Sequence, residues 1–301
     1  MEMVAATKMR KSQEIALASR PYAFAALDFL ATVSNLDSAK LPELFHDRTK
    51  NPSTSSGPRV LFVLVSSDKG LAGAFNSSVF RKFAAHFEKW ASLAPKGREE
   101  QLFVAIGEKA NQYLSKKGYN VVKKFTAVGD HTTVEQVKPI ADFIVEGFLA
   151  ESWDRVVVVS THFRSALKQE PHVRTILPID FDHIAETIKE IIPERGKFAD
   201  LIKEQNISFI PSKTDSRDYL IEPSAEEVLN NLAKHLFFMQ MYHIILEANA
   251  SEHSARRMAM KTASDNAKDL GDRLNLQYNK SRQSRITTEI SEISAGAEAL
   301  S

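Results

Sequence analysis

The carboxy-terminal quarter of the chain contains no residue that forces a helix to end. Pro223 is the last of the eleven prolines in a sequence of 301 residues, and residues 224–301 contain only two glycines. Ser224 followed by Glu226 and Glu227 is typical of a helix start, because a hydroxyl caps the first turn and acidic side chains are favoured near the positive end of the helix dipole. The sequence therefore predicts one helix from this point to the end of the chain, roughly 115 Å long at 1.5 Å per residue.

Apolar residues in this predicted helix recur with the spacing of a coiled coil. They are Ala263, Ala267, Leu270 and Leu274, then Ile286, Ile290, Ile293, Ala297 and Leu300. The steps alternate between three and four residues, which is the period of a narrow coiled-coil seam. We therefore expect residues 223–301 to form a coiled-coil helix.

A matching seam occupies the amino terminus. It consists of Ile15, Ala18, Tyr22, Ala25, Phe29, Val33 and Leu36. Pro21 lies inside this seam and predicts a kink, since an interior proline costs about 3 kcal/mol. We expect residues 1–40 to form a helix that pairs antiparallel with the carboxy-terminal helix. Because the second helix is about twice as long, roughly 60 Å of its seam would protrude and need another partner.

The middle of the chain alternates between strand-like and helix-like patterns. The short apolar runs are Val60–Val65, residues 102–106 and residues 155–159, and helical spacing covers residues 76–93, 107–117 and 133–151. Continuously apolar strands are typical of a parallel sheet buried on both faces. The predicted fold class is therefore α/β: a Rossmann-like, doubly wound domain over residues 59–222, inserted between the two helices of a long antiparallel coiled coil. Later strands are expected near residues 172–179, 207–210 and 219–221.

Composition and motifs argue against a catalytic site. The chain has 39 Lys+Arg, 38 Asp+Glu and no cysteine, which excludes disulfides, thiol nucleophiles and thiolate metal sites. The glycine-containing loop at residues 66–76 follows the first strand, where a phosphate could bind, but it matches neither the phosphate-loop nor the dinucleotide motif. A tight structural turn is the favoured interpretation. No catalytic residue, cofactor or metal is predicted.

The remaining polar candidates are also better explained structurally. Asp180, Asp182 and His183 have ligand chemistry but no fourth partner nearby, which favours a solvated turn. The three histidines His162, His235 and His243 lack a nucleophile or carboxylate at a diagnostic spacing, and we expect His235 and His243 to line one face of the coil.

Two basic clusters, one at residues 8–11 and one at residues 256–261, leave three interpretations open. They fit a solvated helix face, a nucleic-acid or membrane patch, or a surface that contacts acidic loops of a surrounding protein. Interspersed acidic residues at Asp265, Asp269 and Asp272 disfavour nucleic acid.

Four segments resemble the gamma subunit family of F-type ATP synthases. They are residues 1–13 (MEMVAATKMRKSQ), 67–76 (SDKGLAGAFN), 219–223 (YLIEP) and 278–297 (YNKSRQSRITTEISEISAGA). The resemblance implies a non-catalytic rotor without a cofactor. Its coiled coil would turn inside a ring of three alpha and three beta subunits, and its α/β domain would sit at the foot of the shaft against the c-ring and the epsilon subunit.

The resemblance also implies partner contacts for individual residues. Those expected to meet the alpha/beta ring are Met1, Arg282, Gln283 and Thr287, and those expected near the c-ring and epsilon are Tyr219 and Glu222. Family members carry a further helical stretch before the first motif, so this chain is expected to be a fragment or to have a misassigned start. The expected location is the cytoplasmic side of a bacterial inner membrane, or alternatively the matrix side of the mitochondrial one, with membrane contact only through the complex.

Two other function classes remain open at this point. The α/β domain could belong to a nucleotide-dependent enzyme, and the coiled coil could be a scaffold without a motor role.

Overall fold

The computed structural model describes residues 1–18, 42–48, 58–93, 101–129, 132–180 and 224–298. The helices are α1 (Glu2–Ala18), α2 (Phe75–Leu93), α3 (Glu108–Lys116), α4 (Val134–Leu149) and α5 (Ala225–Glu298), with a short 3₁₀ turn at Glu43–Phe45. The strands are β1 (Val60–Val65), β2 (Gln101–Ile106), β3 (Val121–Phe125), β4 (Arg155–Phe163) and β5 (Gln169–Leu177). The chain is therefore a mixed α/β protein with one very long carboxy-terminal helix.

The five strands form one sheet in the order β3-β2-β1-β4-β5. The first four strands are parallel, as the sequence predicts, but β5 is antiparallel to β4. The reason is local: Ser165 and Lys168 exchange backbone hydrogen bonds of 3.0 and 3.2 Å across a two-residue loop. So short a connection can only reverse the chain, whereas a parallel partner needs a long crossover.

Helices cover both faces of the sheet. The alternating side chains of β1 show this, since Leu61 and Val63 belong to a core shared with α4 and α5, while Phe62 and Leu64 belong to a core shared with α2 and α3. The second core contains an aromatic cluster in which Phe62 and Phe103 stack at 5.7 Å between ring centroids. Burial on both faces explains why the parallel strands are continuously apolar.

α5 changes its surroundings along its length. Its amino-terminal part packs on the sheet, every residue from 241 to 254 is buried, and the side chains from 261 to 297 are exposed apart from the intermediate Gly271. The exposed apolar residues of this protruding part are Leu270, Leu274, Leu276, Tyr278, Ile286, Ile290 and Ile293. They include positions of the predicted coiled-coil seam, which needs another partner where it protrudes beyond the amino-terminal helix.

α1 lies against α5 and runs in the opposite direction. Glu2 Oε1 is 3.9 Å from Arg257 Nε, while Ile15, further along α1, packs on the core that contains earlier residues of α5. The rest of the predicted amino-terminal helix, including Pro21, lies outside the described residues. The full coiled coil and the boundaries at 1–40, 59–222 and 223–301 therefore stay predictions, as do the strands expected at 207–210 and 219–221. In the described ranges, no helix has an apolar stretch long enough to cross a bilayer.

Candidate functional site

Asp68, in the loop after β1, makes hydrogen bonds to two other segments of the chain. Asp68 Oδ1 accepts a hydrogen bond of 3.0 Å from the backbone N–H of Glu108, and Oδ2 accepts one of 2.9 Å from the backbone N–H of Ala127. One carboxylate therefore ties the start of α3 to the loop that follows β3. A negative charge is stabilised at this position because it faces the positive end of a helix.

The next N–H groups of α3 are also occupied from within the chain. Ser67 O accepts a hydrogen bond of 3.1 Å from Lys109 N, and Ser66 Oγ accepts one of 2.6 Å from Ala110 N. A phosphate at a helix amino terminus needs these N–H groups. These N–H groups of α3 are therefore not available to a phosphate, and the loop is a turn that caps α3, in agreement with the structural interpretation.

The crevice where doubly wound sheets bind ligands is occupied by α5. The chain leaves β1 toward β2 and β3 on one side and returns to β4 on the other, so the switch point lies between β1 and β4 at their carboxyl ends. Loops at this edge contact α5: Ser254 Oγ donates to Ala166 O at 2.7 Å, and Asn249 Nδ2 donates to Val128 O at 3.0 Å. The α/β domain therefore binds a helix at the place where related architectures hold a small molecule.

A buried charge cluster joins α5 to β4 and β5. Glu247 accepts hydrogen bonds from His162 Nδ1 at 3.0 and 3.1 Å and from His243 Nε2 at 3.2 Å, and its Oε2 lies 3.5 Å from Arg174 Nη1. Both histidines and the glutamate expose less than a tenth of their surface. Burial opposes ionisation of Glu247, but the charges and hydrogen bonds of His243, His162 and Arg174 outweigh it and hold the pKa of the carboxyl well below its ordinary value.

Acidification is expected to weaken the packing of α5 on the sheet through Glu247. The pKa of this carboxyl is lower in the folded protein than its ordinary value of 4.5. Ionised Glu247 therefore stabilises the fold fully at pH values above 4.5, and this contribution is lost as the pH falls below 4.5 toward the pKa of the folded state. The facing charged groups are His162, His243 and Arg174, and the ring of His172 lies tilted beside that of His162 with 5.4 Å between their centroids. Denaturant unfolding of the full chain, followed from about pH 7 down to about pH 3, measures the free energy of unfolding at each pH.

The control for this titration is a pair of isosteric variants on the same helix. Glu247→Gln is expected to flatten the acid-dependent loss of stability, and the exposed Glu226→Gln is expected to retain most of it. Equal pH profiles for the two variants would contradict the role given to Glu247.

The residues expected at the partner interface lie on separate levels of the molecule. Arg282, Gln283 and Thr287 are exposed on the protruding part of α5, where Thr287 Oγ1 donates to Gln283 O at 2.9 Å. Met1 is 79% exposed and precedes Glu2, which pairs with Arg257. The rise from residue 257 to residue 282 is about 37 Å, so Met1 is not brought together with the other three. The foot positions Tyr219 and Glu222 lie outside the described residues.

Sequence reasoning missed the buried cluster and misplaced one histidine. His162 does have a carboxylate partner, but Glu247 is 85 positions away, which no local spacing reveals. The expectation that His235 and His243 line one face of the coil is wrong: His235 is exposed, whereas His243 lies in the stretch 241–254, in which every residue is buried. The i,i+4 spacing of His243 and Glu247 was the available signal.

The candidate metal group receives no support from the part of the chain that the structure covers. Asp180 is exposed there, whereas Asp182 and His183 are not described. The described ranges contain no group of three or more carboxylates and histidines that could hold a metal ion.

Known proteins resemble this chain along its whole length. A family model described as ATP synthase matches residues 1–300. The ATP synthase gamma chain of Roseiflexus sp. (strain RS-1) is 35% identical over 305 residues, covering 100% of this chain and 91% of the relative. The gamma chain of Amoebophilus asiaticus (strain 5a2) is 34% identical over 301 residues, covering 100% and 92%.

Two solved structures share the fold. The central stalk and c-ring structure of the Tetrahymena thermophila mitochondrial ATP synthase includes a chain with a TM-score of 0.57 and 22% identity, over 88% of this chain and 97% of that one. A chain from the Euglena gracilis mitochondrial ATP synthase gives a TM-score of 0.53 and 15% identity, over 99% and 94%. With the family and its curated relatives matched from end to end, the chain belongs to the ATP synthase gamma-chain family, the non-catalytic rotor shaft subunit of the F-type ATP synthase.

Proposed function

We propose that the protruding part of α5, residues 261–298, is the section of the shaft that turns inside a ring of three alpha and three beta subunits. The observation that carries this proposal is the long exposed run of α5, in which apolar seam residues such as Leu270 and Ile290 have no cover among the described residues. A single helix about 57 Å long, exposed on all sides, is poorly stable in water unless other chains surround it.

The surface of this section suits a part that must turn. Around the seam, α5 presents small and polar side chains of Ser, Thr, Asn, Gln, Lys and Asp, which make shallow and replaceable contacts. A shaft of this kind works by contacting one beta subunit differently from the next, which changes the relative free energies of their open and closed states. The chain itself then needs no catalytic residue.

Arg282, Gln283 and Thr287 are the proposed contacts with the beta subunits near the tip, and Met1 is the proposed contact with an acidic loop lower down. The pairing of residues 1–40 with α5 as an antiparallel coiled coil, and the placement of Tyr219 and Glu222 beside the c-ring and epsilon, are likewise proposed on the resemblance. The complex is proposed to lie on the cytoplasmic side of a bacterial inner membrane, with this chain reaching the membrane only through its partners.

The test is a paired substitution at the tip in the assembled complex. Arg282→Ala with Gln283→Ala is expected to reduce ATP-driven proton pumping about tenfold, because hydrogen bonds from a charged and a polar side chain are lost at the moving contact. Pumping is measured in membrane vesicles, together with ATP hydrolysis and the subunit composition of the purified complex.

The matched control removes the same residue types lower on the same helix. Arg273→Ala with Gln277→Ala alters two exposed positions and is expected to leave pumping near the unmodified level. Unchanged pumping in the Arg282/Gln283 variant, with the complex intact, favours the alternative in which the coiled coil is a scaffold without a motor role.

A further inference from the structure

α5 passes through an enclosure rather than over a surface. Every residue from 241 to 254 is buried, although a helix that packs on one side leaves the opposite side exposed. The walls of this enclosure come from the sheet and the loops at its carboxyl edge, together with α1, whose Ala5 and Met9 are also buried. We call it the socket, meaning the surroundings of residues 241–254 and the adjoining turn up to residue 259.

The socket holds α5 from three directions. At 100° per residue, His243, Glu247 and Ser254 point within about 40° of one another. Glu247 contacts His162 of β4 and Arg174 of β5, and Ser254 contacts the loop between these strands. About a third of a turn away, Ala255 and Ala259 face Gly73 in the loop after β1, where a Cβ on Gly73 would lie 3.7 Å from Ala259 Cβ.

The third direction faces the segment between β3 and α4. Tyr242, Asn249 and His253 point within about 40° of one another, roughly 120° from each of the other two groups. Asn249 Nδ2 donates to Val128 O at 3.0 Å and also to Thr132 Oγ1, and His253 Nε2 donates to Gly129 O at 3.1 Å. Tyr242 Oη donates to Thr132 O at 3.3 Å.

These contacts fix the rotation of α5 about its own axis. Apolar packing is non-directional and resists such a rotation only weakly, but hydrogen bonds require a narrow range of distance and angle. Most of the acceptors are backbone carbonyls, which cannot follow a turning side chain. Rotation of α5 within the socket would therefore separate the buried Glu247 carboxylate from His162 and Arg174, and the buried Asn249 amide from Val128 and Thr132, which is costly.

We propose that the socket is the joint that transmits torque between the α/β domain and the shaft, with Glu247, Asn249, His253 and Ser254 as positioning residues. They hold α5 at one angle, so that the domain and the protruding section turn as one body. This assignment rests on the proposed function, in which the shaft section turns within the ring and the α/β domain, at the foot of the shaft, turns with it.

The first test loosens the joint. In the assembled complex, Asn249→Leu with Ser254→Ala removes hydrogen bonds on two sides of α5 while keeping helix-forming residues. The ratio of ATP-driven proton pumping to ATP hydrolysis is expected to fall about threefold or more, since two buried hydrogen bonds no longer resist slip. The control is Asn231→Leu with Ser115→Ala, which makes the same changes at exposed positions of α5 and α3 outside residues 261–298 and is expected to leave the ratio unchanged.

The second test restores the joint with a covalent bond. Gly73→Cys with Ala259→Cys places two Cβ atoms at a separation that fits a disulfide, and the chain has no cysteine to compete. Oxidation joins the two thiols with loss of two electrons and two protons to an added oxidant such as copper phenanthroline, and a dithiol reductant reverses it. In the Asn249/Ser254 variant, oxidation is expected to return the ratio to the unmodified level.

Three results would overturn the proposal. They are an unchanged ratio in the loosened variant with the complex intact, a lowered ratio that the disulfide does not restore, and loss of pumping when the disulfide is formed in the otherwise unmodified chain. If the loosened variant does not assemble, the test is the Gly73–Ala259 disulfide in the otherwise unmodified chain. Continued pumping after oxidation supports the proposal, because it requires that the domain and the shaft turn together, and loss of pumping contradicts it. Failure of the Arg282/Gln283 test with an intact response here would count against the tip contacts and not against the socket.

Discussion

Replacing Gly107 by alanine is expected to cause a large loss of stability. Gly107 follows β2 with a φ of +94°, and a Cβ at this position would lie 2.2 Å from Ser66 O and 2.8 Å from Ser66 C. Both atoms belong to the backbone of the loop that caps α3, so neither can move aside without breaking those hydrogen bonds. Backbone strain and overpacking together cost about 3–5 kcal/mol, a large part of the usual stability of a domain.

The measurement is denaturant unfolding of the full chain, followed by the fluorescence of Trp90 and Trp153 in the α/β domain. The matched control is Gly118→Ala, which has a similar φ of +75° but no heavy atom within 4 Å of the added Cβ. The control is expected to lose only about 1 kcal/mol, the cost of a left-handed conformation without a steric clash. Equal losses in the two variants would show that the close approach to Ser66 is unimportant.

Amide hydrogens in the socket are expected to exchange at least about a thousandfold more slowly than those of residues 265–295 when the chain is free of its partners. The two regions belong to one continuous helix, α5, and have different surroundings. In the socket, opening requires the loss of packing and of buried hydrogen bonds on all sides. In the protruding section, a helix without tertiary contacts is only marginally stable in water.

Hydrogen exchange followed by mass spectrometry measures both regions in the same sample. The experiment is repeated over a dilution series, because exposed seam residues such as Leu274 and Ile290 favour pairing with a second copy at high concentration. In the assembled complex, the protection of residues 265–295 is expected to rise, as the surrounding subunits restrict opening. Equal protection of the two regions in the dilute free chain would mean that the protruding section does not depend on partners.

The socket and the protruding section divide the work of a shaft between two kinds of surface. In the socket, hydrogen bonds such as those of Asn249 and Ser254 are directional, buried and made to the same chain. On the protruding section, side chains such as Gln283 and Thr287 are exposed and available to successive neighbours. A rotor needs firm contacts where torque enters and replaceable contacts where it is used.

Much of the chain could be predicted from the sequence because its signals are local. The absence of proline after Pro223 and the acidic start of the helix predicted α5 almost to its observed bounds, Ala225–Glu298. The apolar run of β1 was predicted at its observed bounds, Val60–Val65. The terminal motifs pointed to the gamma-chain family, which the comparisons with curated relatives bear out. Helix caps, proline exclusions and short β-branched runs act within a few residues, so a single sequence displays them.

Only the tertiary structure decided which of those elements contact one another. It filled the switch-point crevice with α5 and placed His162 and Arg174 on Glu247. The same helix carries a seam at one end and a buried polar stretch in the middle, and nothing in its spacing says which loops will enclose it. Contacts between residues tens of positions apart arise only when the strands are ordered and their carboxyl ends meet, because that order, and not local propensity, brings the loops around α5.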